Sequence, residues 1–121
     1  MMSIRSEQYD AFARDSWSSF VCSTLIHLKE DMSEYTKGMT DERLVDRIVA
    51  AAGRSAKYGL VDECDITCFL DAGLLLRNLS FDEDPRFAAI GVVLRDATLD
   101  PSDRAEQVLT IAYQQTLAPD W

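Results

Sequence analysis

Residues 40–60 read TDERLVDRIVAAAGRSAKYGL, and this stretch decides the class of fold. Thr40 stands where a helix-capping hydroxyl belongs, and Asp41 and Glu42 follow it, where carboxylates meet the positive end of a helix dipole. Leu44, Val45, Ile48, Val49, Ala52 and Ala56 recur by threes and fours, the spacing of one helical face. Gly59 then offers a residue that adopts the left-handed conformation just past a helix, and Leu60 one that packs back on the last turn. A complete helix, start to stop, is therefore legible here.

The same grammar extends in both directions. Upstream, Ser6 is a capping candidate for a long amphipathic helix whose apolar positions are Tyr9, Phe12, Trp17, Phe20, Val21, Leu25, Leu28 and Met32. The pattern fades into Ser33–Gly38, which reads as a loop. Downstream, Asp62 opens a third helix carrying Ile66, Phe69, Leu70, Gly73, Leu74 and Arg77. Gly73 costs up to about 1 kcal/mol against alanine inside a helix, so the spacing predicts a close approach by a neighbouring helix. Asn78 to Asp84 reads as a polar connection. Asp84-Pro85 and Asp100-Pro101 each join a capping carboxylate to a proline at the first helical position, where its missing N–H is no loss. They predict a short fourth helix with Phe87, Ile90, Gly91 and Leu94 inward, and a fifth to about Leu117 with Ala105, Val108, Leu109, Ala112 and Tyr113 inward. No segment alternates with period two long enough for a strand. The expectation is an all-α, single-domain irregular bundle of about five helices over residues 1–121.

Composition narrows the function. Of 121 residues, 47% are hydrophobic, which suits a folded core, and twelve basic against twenty-one acidic residues leave a net charge of -9. That charge repels a phosphate backbone and argues against nucleic acid as ligand. No run approaches the roughly 20 apolar residues of a membrane span. Met1 to Tyr9 hold no apolar block of a signal peptide, so a cytoplasmic location is expected. The odd count of Cys22, Cys64 and Cys68 suggests reduced thiols and no disulfide framework.

The residues that chemistry would need do not assemble into a motif. His27, the one histidine, reads as a structural residue beside the apolar stripe rather than as a base. Cys64 and Cys68, four apart, read as helix core rather than zinc ligands, because structural zinc sites draw cysteine pairs from turns. Asp82, Glu83 and Asp84 lack the alternating ligands and central glycine of a calcium loop and read as a solvated cap. Asn78-Leu79-Ser80 fits a glycosylation sequon, which counts only for a secreted chain. No phosphate-binding loop, nucleophile elbow or zinc-protease helix occurs. No catalytic residue, metal or cofactor is assigned, and a small hydrolase stands only as a distant alternative.

A binding module should instead show apolar or aromatic residues that a helical core does not need. Tyr35 and Met39 in the first loop, Phe81 with Asp82 in the acidic connection, and Trp121 are those candidates. The partner would be another protein, with the oligomeric state open.

One diffuse pattern runs through nearly the whole chain: Ala56-Lys57-Tyr58-Gly59-Leu60, Asp65, Phe69, Phe81-Asp82, Pro85, Leu94-Arg95-Asp96, Pro101 and Arg104, with Phe12, Phe20, His27 and Leu28 upstream. It resembles the small helical accessory proteins encoded beside effector, PAAR-tip and adaptor genes of bacterial type VI secretion clusters. The chain departs from that pattern at Asn78–Ser80, where a glycine is usual, and at Phe87, where a tryptophan is usual. The resemblance implies a co-chaperone that holds a secreted effector toxin or its adaptor chaperone. The alternative it implies is an immunity protein that neutralises a toxin acting in the cytosol. It carries over no catalytic residues.

Overall fold

The computed structural model describes the backbone of residues 2–117 and the side chains of residues 16–117. The fold is all-α. Six α-helices occur among the described residues: α1 (Met2–Glu30), α2 (Ser33–Thr36), α3 (Asp41–Ala56), α4 (Glu63–Leu75), α5 (Ala88–Leu94) and α6 (Pro101–Leu117). Five match the expected helices, and α2 is a single extra turn inside the expected first loop. The chain divides into two compact units, Met1–Val45 and Asp46–Trp121.

In the first unit α1 already runs from Met2, so Ser6 lies within the helix and not at its start. The buried stripe is narrower than the apolar pattern: Phe20, Thr24 and Leu28 are buried, whereas Trp17 is 41% exposed. Thr24 tolerates burial because its hydroxyl donates to the Phe20 carbonyl at 2.7 Å. Thr36, also buried, donates to the Leu28 carbonyl at 2.9 Å and so fastens α2 back on α1. Gly38 turns the chain with φ +83° into α3, whose cap is as expected: the Thr40 hydroxyl accepts from the Arg43 N–H at 3.2 Å.

The other end of α3 also follows its sequence. Gly59 takes φ +77°, its N–H donates to Ala56 O at 3.1 Å, and the Leu60 N–H reaches back to Ser55 O at 3.1 Å. These are the paired bonds of a Schellman stop, and Leu60 is buried as their hydrophobic clasp. The face of α3 differs. Leu44, Ile48, Ala51 and Ser55 are buried, while Val49 is 50% exposed and Ala56 exposed. The apolar arc of this helix is broader than its buried row.

In the second unit α4 is the axis. From Asp65 to Leu74 every residue but Thr67 and Cys68 is buried, because α6 packs along it. α5 crosses α6 in turn. Asp62 occupies the N-cap position of α4, yet its side chain makes no capping bond. The helix stops with the same paired bonds as α3, Arg77 N–H to Leu74 O at 3.1 Å and Asn78 N–H to Gly73 O at 3.0 Å. Here the left-handed residue is Arg77, with φ 52°, where glycine would be unstrained. This reversal sends the following segment back over α4. Asp84-Pro85 opens a 3-10 turn, Pro85–Phe87, rather than an α-helix directly, and α5 begins at Ala88. Pro101 opens α6 as expected, though Tyr113 on that helix is 56% exposed and not inward. No helix of the described residues is long and apolar enough to cross a membrane.

Candidate functional site

The segment returning over α4 carries Phe81 and Asp82, and the structure corrects their expected exposure. Phe81 is 1% exposed. Its ring lies 4.7 Å from that of Phe69 and passes over Gly73, where a Cβ would sit 3.4 Å from it. An aromatic ring and not a helix backbone therefore packs on Gly73, at a distance that would also admit a Cβ, so the close approach predicted there does not require glycine. A 3-10 turn, Phe81–Glu83, holds the pair in place.

The Asp82 side chain has no exposed surface. Its Oδ1 accepts from Arg54 Nε at 3.0 Å and Nη2 at 2.6 Å, and its Oδ2 accepts from the Tyr58 hydroxyl at 2.7 Å. A buried carboxylate is tolerable only when its lone pairs are engaged in this way. Burial, and then the hydrogen bond to Asp82 and its charge, push the Tyr58 phenol up from 10.0 to about 12. The bond to Asp82 likewise raises the Arg54 guanidinium above its ordinary value. Arg104 completes the framework from α6: its Nη1 donates to Tyr58 O at 2.8 Å and to Leu94 O at 2.9 Å, tying the ends of α3 and α5 together. Its buried Nε makes no hydrogen bond among the described residues.

Other expected positions lie elsewhere. Met39 is half-buried and lines an open surface hollow of the first unit with Lys29, Ser33, Glu34, Thr36, Lys37 and Leu44. Lys29 pairs with Asp41 at 2.8 Å, both exposed. Tyr35 is half-buried on α2. Trp121 lies outside the described residues. The structure therefore brings Phe81 and Asp82 together in the second unit's interior and leaves Met39 at a surface.

His27 does have a carboxylate partner: its Nδ1 lies 2.9 Å from Asp31 Oδ2, one turn on. Cys64 and Cys68 are not the core residues expected. Cys22 and Cys64 are exposed and Cys68 is half-buried, its thiol pushed up by burial and by the charges of Asp71 and Asp65, which disfavours thiolate. No three His, Cys, Asp or Glu residues among those described are grouped so as to hold a metal. Within the acidic knot, Asp84 caps the next turn by accepting from the Arg86 N–H at 2.9 Å and pairs with its guanidinium at 2.8 Å. Arg86, foremost, and the bond from Asn78 lower its pKa.

Sequence reasoning missed Arg54 and Tyr58 as the partners that bury Asp82, and Arg104 as the donor that braces the Tyr58 and Leu94 carbonyls. It also missed the buried acids Asp65 and Asp71 on α4. Nothing in residue spacing signals the Asp82 cluster, since its donors lie 24 and 28 residues away in the chain. The chain matches no protein-family model, no curated protein and no solved structure.

Proposed function

We propose that this chain is a non-catalytic protein-binding accessory of a bacterial type VI secretion effector, acting as a co-chaperone that holds the effector or its adaptor before export. The reading rests on the resemblance, and one observation supports carrying it over. Tyr58, Phe69, Phe81, Asp82, Leu94 and Arg104, which carry much of the resemblance, meet in one framework of linked contacts. This supports a reading in which the pattern serves the framework and the partner is read by surface residues outside it.

The hollow lined by Met39 is the surface for that role. Its floor includes the apolar Leu44 and the adaptable thioether of Met39, with Lys29 and Lys37 at its rim. The test is co-purification of the tagged chain with the products of its neighbouring genes, alongside Met39→Glu. Capture of an effector or adaptor that Met39→Glu abolishes, with effector export dependent on the chain and toxicity unchanged, is the expected result. Capture that abolishes toxicity in the cytosol would replace the co-chaperone with an immunity protein. Capture of neither would remove the type VI assignment altogether.

A further inference from the structure

We draw no further inference here: the strongest candidate, the acidic side-chain cluster where α4 and α6 pack, in which the charges of Asp71, Asp65 and Glu106 act on the Cys68 thiol, carries nothing, because no three such groups among the described residues are placed to hold a metal and nothing in the structure shows what other ligand would cover it.

Discussion

Gly59 and Gly73 show how one residue type answers two different demands. Gly59 sits at φ +77°, a conformation that costs a side-chain-bearing residue roughly 1–2 kcal/mol, so Gly59→Ala should lower stability by about 1 kcal/mol. Gly73 lies inside α4, and a methyl there would meet the Phe81 ring at 3.4 Å, an ordinary contact distance. Helix propensity then decides, and Gly73→Ala should raise stability by about 0.5–1 kcal/mol. Gly73→Leu should lower it by overpacking. Urea unfolding followed by circular dichroism reads the signs directly. Tyr58 supplies a pH signature. Its phenol titrates near 12 instead of 10.0, so the folded chain holds this proton more tightly than the unfolded one. The resulting stability is complete below about pH 10 and is lost as pH rises through 12. Urea midpoints measured upward from about pH 9 should fall across that window in the parent chain, and less steeply in Tyr58→Phe.

At the scale of elements, the 3-10 turn Phe81–Glu83 is held by what it inserts rather than by its own length. Asp82→Ala would leave the Arg54 guanidinium and the Tyr58 hydroxyl without their acceptor. A loss of about 2–3 kcal/mol is expected, less than a fully buried pair would show because Arg54 is 23% exposed. Glu83→Ala, next in sequence, should cost less than about 0.5 kcal/mol, since its ion pairs are long and water-exposed. Thermal midpoints of the two variants should therefore separate clearly. If they fall together, Asp82 does not anchor the turn.

For the whole molecule, the net charge of -9 sets self-repulsion against local ion pairs. The pairs Lys29–Asp41 and Lys57–Glu83 are exposed and contribute little. Repulsion over longer distances is screened once the Debye length falls to about 10 Å, near 0.1 M salt. Stability should accordingly rise as salt is added from low ionic strength. A urea midpoint that falls over that range would mean that the exposed pairs outweigh the repulsion.

Helix starts and stops are legible in the sequence where the signal is local. Thr40, Gly59 and Pro101 act on bonds within one turn of themselves, so their roles needed no knowledge of neighbours. The all-α class followed from the same signals. Which face of α3 lies inward depends on packing: Ala51 and Ser55 are buried where Val49 and Ala56 were expected, because the packing partners choose among adjacent small and apolar positions. Phe81 and Asp82 make the same point for the site. In the sequence they are an aromatic and an acid in a polar connection, apt for a surface. The reversal at Arg77 carries them onto Gly73, Arg54 and Tyr58, and burial of a charge becomes affordable only where distant donors converge.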